Sequence, residues 1–459
     1  MTTGASIDAA PAAGPAGRRL PVVLVALAAL AALGALAINA VITPLSRPGH
    51  LFYVAIDAEV YRAGAETLWS GRPLYDAAVL VVPDIDMMFT YPPFAAIAFL
   101  PLLLLPTSAT FVLFYAGNAL LAAGLIGMSL RLLGYRRDRN FWAFTVLGAV
   151  GLLLLEPVRT TFALGQINLL LAVLVVADLG RARRWSGIGV GLAAGIKLTP
   201  LVFVVYLLVV RRFRAAAVAV GTFAGTVLLG LAVMPGDAWT YWTDKVLSSG
   251  RIGVTDAWSN QSVNGFVSQL LRIADVQRYQ DPATGVFAAP GWMWLPPALA
   301  VAVAGLWAAA RAHRRGQELL AVSLTGMTGC AASPFSWGHH WVWVVPLLLV
   351  ALDYAVRRGR WWAWAAPLTV AALTFVWWFP DGRGGRQWGL FMIPRPADPD
   401  GWHTAAIVVG AGCYPLLLVL TVACVVLGGR GGLSPAGPPP APSAARAGRP
   451  PLRDAAPPE

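Results

Sequence analysis

Long stretches without a single Asp, Glu, Lys or Arg recur along this chain of 459 residues. The first, Pro21 to Ile42, would rise at ~1.5 Å per residue to about the ~30 Å of a bilayer's hydrocarbon core. Further uncharged runs at Thr107 to Leu130, Phe141 to Leu155, Ala215 to Met234, Trp292 to Ala310, Trp361 to Phe379 and Thr404 to Leu427 read as more spans. Shorter apolar runs at Ile167 to Ala177, Ser186 to Ile196, Leu198 to Val210, Leu319 to Ala332 and Trp341 to Leu352 bring the expected total to twelve. Hydrophobic residues make up 58% of the chain and charged ones 12%, against about 25% charged in a soluble domain. A soluble protein, or a soluble enzyme on one anchor, is excluded. The expectation is an all-α polytopic membrane protein.

The net charge of +12 would suggest nucleic acid in a soluble chain, but here the basic residues sit in short runs between apolar spans. That pattern encodes topology, so no nucleic-acid partner is expected. Arg18-Arg19 places the start of the first span in the cytoplasm. With twelve crossings, Arg136-Arg137 with Arg139, Arg181 with Arg183-Arg184, Arg211-Arg212 with Arg214, Arg314-Arg315, and Arg357-Arg358 with Arg360 all fall on the same inner side. This agreement requires the Pro-rich apolar stretch Pro92 to Leu105 to lie at the outer interface or to re-enter rather than cross. Two large extracytoplasmic loops follow, about Pro44 to Pro106 and about Pro235 to Gly291, and loops of that size carry function. Residues 1–19 form a cytoplasmic segment and 20–428 one membrane domain. Residues 429–459 hold nine Pro and almost no bulky apolar residues, which predicts a disordered cytoplasmic tail. Cys330, Cys413 and Cys424 lie in apolar runs without metal-ligand spacing and read as buried thiols.

The short spans are the informative ones, because 11 to 15 helical residues reach only about 17–22 Å and leave their outer turns below the membrane surface. Those turns are polar: Glu156 to Gln166, the Lys197-Leu198-Thr199-Pro200 corner, and Ser333 to His340. Polar backbone at membrane depth lines a cavity. With the first loop they gather Asp57, Glu59, Glu156, Arg159, Gln166, Asn168, Lys197, Asn260-Gln261-Ser262 and His339-His340 on the outer face. In the helical segment Ile56 to Ala65, Asp57 shares a face with Tyr61 and Gly64 while Glu59 points elsewhere, which makes Asp57 the better candidate for a general base. Its alternative is a residue favoured by the helix dipole.

The ordered motifs then carry a resemblance. Asp57-x-x-x-Tyr61, Leu68-Trp69-Ser70-Gly71-Arg72-Pro73-Leu74-Tyr75, Tyr91-Pro92-Pro93-Phe94, Gly165-Gln166-Ile167-Asn168, Ala194-Gly195-Ile196-Lys197-Leu198-Thr199-Pro200, Asn260-Gln261-Ser262 and Ser333-Pro334-Phe335-Ser336-Trp337-Gly338-His339-His340 follow one another over roughly residues 20 to 428. The set resembles the polyprenyl-phosphate-mannose-dependent mannosyltransferases of glycosyltransferase family 87, which have the GT-C fold. The resemblance implies an inverting transferase in the plasma membrane that moves one sugar from a polyprenyl monophosphate to a glycolipid, lipoglycan or glycan hydroxyl on the extracytoplasmic side. Mannose is the expected sugar, with arabinofuranose the alternative inside the family. A lipid-linked sugar transporter and a non-catalytic assembly partner are the readings from other classes.

Under that resemblance Asp57 matches the catalytic base, taking the proton of the acceptor hydroxyl by in-line displacement. The leaving phosphate needs cations, and Lys197 is the first candidate, its alternative being a lysine reaching to the interface. Arg159 is a second phosphate candidate whose alternative is an ion pair with Glu156. His339 and His340 are further phosphate partners, or belong to an interfacial Trp/His belt. Tyr61, Tyr91, Gln166, Asn168, Asn260, Gln261 and Trp337 are candidates for sugar or acceptor binding, with capping of the buried turn the alternative for Asn168. Trp239, Trp242 and Trp258 either stack on sugars or pack on the membrane surface. No metal and no other cofactor is expected, since His339-His340 cannot share a helical face and no HExxH or Cys/His set occurs. The pair Asp84 and Asp86 is too small a set to hold a cation.

Overall fold

A computed structural model describes residues 17–43, 50–52, 55–82, 85–180, 184–248, 253–380, 386–396 and 400–428. The tail, Arg181, Arg183 and Asp84 lie outside the described residues. Helix α1 (Val22–Val41) is the first expected span, and its Leu30 and Leu33 stay exposed as lipid-facing residues do. The first loop folds into α2 (Ile56–Trp69), a hairpin of β1 (Leu80–Val82) and β2 (Ile85–Met87) with Val81 opposite Asp86, and α3 (Pro93–Phe99) continued by a 3-10 turn to Leu104. Helices α4 (Thr107–Leu132) and α5 (Arg139–Gly151) follow. Next come α6 (Glu156–Leu164), α7 (Asn168–Leu179), α8 (Ile188–Ile196), α9 (Val202–Val209) and α10 (Phe213–Val233). The second loop carries α11 (Pro235–Thr243) and α12 (Val263–Ile273). The chain ends with α13 (Gly291–Arg314), α14 (Glu318–Ala332), α15 (Val344–Arg358), α16 (Ala365–Thr374), the hairpin β3 (Trp378–Pro380) and β4 (Arg386–Trp388), α17 (Gly401–Ala411) and α18 (Cys413–Leu427).

Among the described residues four helices, α1, α4, α10 and α13, are long and apolar enough to cross a membrane, and two bent pairs, α6 with α7 and α17 with α18, raise that to six. The protein is a helical membrane protein. The remaining expected spans are shorter apolar helices, and three readings need correction. The stretch Glu156 to Gln166 is a short helix that meets α7 at 119°, rather than an irregular turn. The run Thr404 to Leu427 is broken by 72° at Gly412, because Pro415 has no N–H for the carbonyl of Ala411, which instead accepts from Gln261 Nε2 at 3.1 Å. In the run Trp361 to Phe379 the helix stops at Thr374, and the aromatic, β-branched end turns extended, Val376 N bonding Leu154 O at 2.9 Å. Cys330 and Cys413 are buried as expected, whereas Cys424 is exposed.

Two ionic knots hold one end of the bundle. Buried Asp353 on α15 accepts from Arg18 at 3.0 Å, from Tyr135 at 2.9 Å and pairs with Arg357 at 2.8 Å. Glu318 at the start of α14 pairs with Arg212 at 3.2 Å and with His313. Since α14 and α15 run in opposite directions through the 333–343 connection, the start of one and the end of the other share an end of the molecule. Arg18, Arg212 and Arg357 thus collect there, and the 333–343 connection lies at the opposite end.

Small residues set how closely the helices approach. Gly187, Gly191 and Gly195 line one face of α8, where an added Cβ at Gly191 would lie 2.5 Å from Thr222 and one at Gly195 2.5 Å from Thr226 on α10. This spacing of small residues at every fourth position lets two backbones meet without a hydrophobic driving force. It also fixes the exit of α8, where Lys197 follows.

Candidate active site

The site is built where α2, the α6–α7 elbow, the exit of α8 and the Gly338–Trp341 turn converge. Gly165 closes α6 in the left-handed conformation (φ 67°), and a Cβ there would lie 2.7 Å from Ala55 and 2.9 Å from Ala58. Only glycine makes this elbow so close to α2. The elbow sets Gln166 against Asp57: Gln166 Nε2 donates to Asp57 Oδ2 at 2.8 Å. The amide is oriented by its other contacts, since Oε1 accepts from Tyr61 OH at 2.9 Å and from Asn168 Nδ2 at 3.3 Å. Asn118 Nδ2 on α4 donates to the Gln166 carbonyl at 3.1 Å.

The network continues from Asn168 to a cation. Asn168 Oδ1 accepts from Lys197 Nζ at 3.1 Å, and Lys197 Nζ lies 3.0 Å from His340 Nε2. The ammonium also sits 5.6 Å from the centre of the Tyr91 ring, within cation–π range. Asn168 Nδ2 further donates to the His339 carbonyl at 3.0 Å, tying the histidine turn to α7. Beside Lys197 a cleft opens, polar where Asn168, Lys197 and His340 line it and apolar along Leu171, Phe203 and Trp343.

A carboxylate and an ammonium therefore share one polar network without forming an ion pair with each other, two neutral amides standing between them. Asp57 keeps its second oxygen, Oδ1, without a hydrogen bond among the described residues. Burial raises its carboxyl from the usual range to about 6, opposed by the Gln166 hydrogen bond and the positive charge of Lys197. A carboxylate so poised can take a proton near neutral pH, and an ammonium held by neutral partners rather than by a carboxylate can meet an anion. The Glu59 carboxylate, by contrast, makes no ion pair or hydrogen bond among the described residues, its backbone N–H bonding Ala55 O at 3.1 Å. No group of three or more His, Cys, Asp or Glu side chains placed to hold a metal ion occurs among the described residues.

A model of glycosyltransferase family 87 matches residues 89–334. A polyprenol-phosphate-mannose-dependent alpha-(1-2)-phosphatidylinositol mannoside mannosyltransferase of Mycobacterium tuberculosis is 35% identical over 359 residues, 72% of this chain and 81% of the relative. The chain belongs to glycosyltransferase family 87. A phosphatidylinositol pentamannoside mannosyltransferase of the same species, of the same donor dependence, is 36% identical over 66% of this chain and 67% of its own length. A phosphatidylinositol mannoside mannosyltransferase of Mycolicibacterium smegmatis is 34% identical over 66% of this chain and 71% of its own. No solved structure matches the chain. The protein is a membrane glycosyltransferase.

Several residues expected at the site of this family 87 enzyme stand elsewhere. Asn260 and Gln261 are fully buried and spent on the fold: Asn260 Oδ1 accepts from Ser262 Oγ at 2.9 Å and Ser336 N at 3.1 Å, and Gln261 Oε1 accepts from Tyr414 N at 3.3 Å. Tyr61 is likewise buried, stacked on Phe99 at 4.5 Å with its hydroxyl on Gln166 and 3.2 Å from that of Tyr91, so it orients the amide rather than a sugar. Asn168 bridges three partners instead of capping the turn. Arg159 is absent from the Lys197 network and from Glu156; its Nη1 donates to Asn39 at 2.8 Å and its Nη2 to Thr43 at 3.1 Å. Glu156 instead bonds the hydroxyls of Tyr414 and Thr160. His339 is buried with its ring parallel to that of half-buried Trp337 at 6.5 Å, and its Nε2 has no partner. Trp242 packs edge-on to Tyr241, Trp258 lies under Arg395, and Trp239 is exposed. Asn118 went unnoticed in the sequence, although a lone Asn in an apolar run of that length is itself a signal.

Proposed function

We propose that this glycosyltransferase moves one mannosyl residue, with inversion, from a polyprenyl monophosphate to a hydroxyl of a phosphatidylinositol mannoside-type glycolipid. The observation that carries the reading is the single polar network with Asp57 at one end and Lys197 with His340 at the other. The acceptor oxygen attacks the anomeric carbon, its proton passes to Asp57, and the bond from that carbon to the phosphate oxygen breaks on the opposite face. The polyprenyl phosphate leaves toward Lys197, which meets the charge that develops on the leaving oxygen. His340 shares that contact, and the free Nε2 of His339 with the flat face of Trp337 serves the sugar. No metal is required, because the cation is supplied by the chain.

The relatives' names support mannose and a phosphoinositide acceptor. Since the basic end is expected in the cytoplasm, the site at the other end faces the extracytoplasmic side of the plasma membrane. The test is transfer by the purified chain in nanodiscs, supplied with labelled polyprenyl-phosphate-mannose and a phosphatidylinositol mannoside. Wild type transfers label, Asp57→Asn does not, and a chelator changes nothing. A folded wild type that transfers no label from this donor refutes the reading.

A further inference from the structure

A second site is marked by a charge that the fold buries and does not balance. Arg159 is 2% exposed, yet no Asp or Glu of the described residues lies within ion-pair reach of it. Among the described residues its contacts are all neutral: Asn39, Thr43 and the face of Trp388, whose ring centre is 4.0 Å from the guanidinium carbon. A guanidinium keeps its charge and carries five N–H donors, of which these contacts use two. Burying such a charge without a counter-ion is strongly unfavourable, so its retention calls for an anion.

The level of the site in the membrane says which anion. Asn39 and Thr43 lie in and just beyond the last turn of α1, whose 20 residues span about the full hydrocarbon thickness. The same turn presents Val41, 75% exposed, to the lipid, and Trp377 and Trp378 beside Trp388 stand partly exposed in the manner of an interfacial belt. Lipid phosphates lie at this level. The planar fork of an arginine matches two phosphate oxygens, and an aromatic face behind it holds the fork in plane. We propose that Arg159 binds the phosphodiester of an anionic lipid headgroup, at a site separate from the Asp57–Lys197 network. The phosphodiester has two sources, the glycolipid acceptor of the function proposed above or a bulk anionic phospholipid; only the first rests on that reading.

The experiment reads lipid binding and transfer separately. The purified full chain in phosphatidylcholine nanodiscs containing phosphatidylinositol is released and its retained phosphatidylinositol measured by native mass spectrometry, for wild type, Arg159→Gln and Arg159→Lys. Wild type is expected to retain the lipid, the Gln variant to lose it at least tenfold, and the Lys variant to fall between, keeping charge without the fork. Retention by the Gln variant equal to wild type, or none by wild type, overturns the proposal. Where the Gln variant fails to fold, the Lys variant decides, and unchanged retention overturns the proposal again. KM then separates the sources: a tenfold rise for a phosphatidylinositol mannoside but not for a neutral alkyl mannoside assigns the acceptor's phosphate. Lost retention with both KM values unchanged assigns a bulk phospholipid. A wild type that retains the lipid yet transfers no mannose refutes the function proposed above and leaves this site standing.

Discussion

The two ends of the bundle treat charge in opposite ways. At the basic end two carboxylates are paired among the described residues: buried Asp353 holds Arg18 and Arg357, and partly buried Glu318 holds Arg212 and His313. At the other end Asp57 and Lys197 are kept apart by Gln166 and Asn168. Arg159 and Glu156, one helical turn apart on α6, each turn to neutral partners. Pairing neutralises charge and fixes helices; separation leaves a base and a cation each with capacity for a ligand. The basic end spends its charges on itself, and at the other end the Asp256–Arg272 pair does the same for the second loop, while the carboxylate and the cation of the polar network are kept apart.

The sharpest way to break this comparison is to remove the withheld carboxylate. Asp57→Asn is expected to lower kcat about a thousandfold, within the usual range for losing a general base. Because burial raises the Asp57 carboxyl to about 6, the folded state favours its protonated form, and the ionised form costs stability above that pH. The variant should therefore melt higher than wild type above about pH 6, with the difference shrinking as pH falls from there toward the ordinary carboxylate value of 3.8. In wild type, kcat/KM should fall below the same pH, tenfold per unit. A variant that loses activity and also stability above pH 6 would mean that Asp57 is a structural residue.

Lys197→Met tests the other end of the network. Loss of a cation from a developing phosphate is expected to cost about a hundredfold in kcat/KM. Lys197→Arg should not restore it, because a planar fork cannot keep the contacts to Asn168 and His340 that a compact ammonium makes. Full rescue by Arg would show that only charge matters there and would weaken the geometric reading.

Much of this contrast was legible in the sequence. Asp57, Gln166, Asn168 and Lys197 stand out because polar residues inside or beside apolar runs have few reasons to be there. The helix Ile56 to Ala65 and its Asp57–Tyr61–Gly64 face followed from spacing alone, as did the gathering of Arg clusters at one end. Asn260 and Gln261 were misread for a physical reason: a polar loop looks the same whether its amides bind a ligand or tie down the loop, and only burial tells them apart. For Arg159, a phosphate candidate, the alternative was an ion pair with Glu156 one turn away, but α6 meets α1 on one side and α18 on another, and tertiary partners won. The bend at Gly412 depended on Gln261 arriving from 150 residues away, which local pattern cannot show.

At the paired end the prediction reverses in kind. Asp353→Ala leaves Arg18, Arg357 and Tyr135 without their shared acceptor. Both arginines are partly exposed, 41% and 30%, so water takes over part of the loss, and the expected destabilisation is about 1–2 kcal/mol in a detergent melt. Activity per folded molecule should stay at the wild-type level. A drop in kcat without a drop in stability would carry the basic end into the chemistry and end the comparison.

The smallest expected effect lies at Asn118, which sharpens the comparison from within the apolar wall. Its amide donates to the Gln166 carbonyl, while its own Oδ1 is buried without a partner. Asn118→Leu removes a hydrogen bond worth about 1 kcal/mol but also an unsatisfied acceptor that costs a comparable amount, so stability should hardly move. What changes is the support of the elbow: Gln166 loses one of the contacts that aim its amide at Asp57. A loss of about fivefold in kcat, with KM for the donor unchanged and an unaltered melting temperature, is the expected result by that same magnitude. If stability falls and kcat does not, Asn118 belongs with the paired end's logic, and the elbow is held by Gly165 and Tyr61 alone.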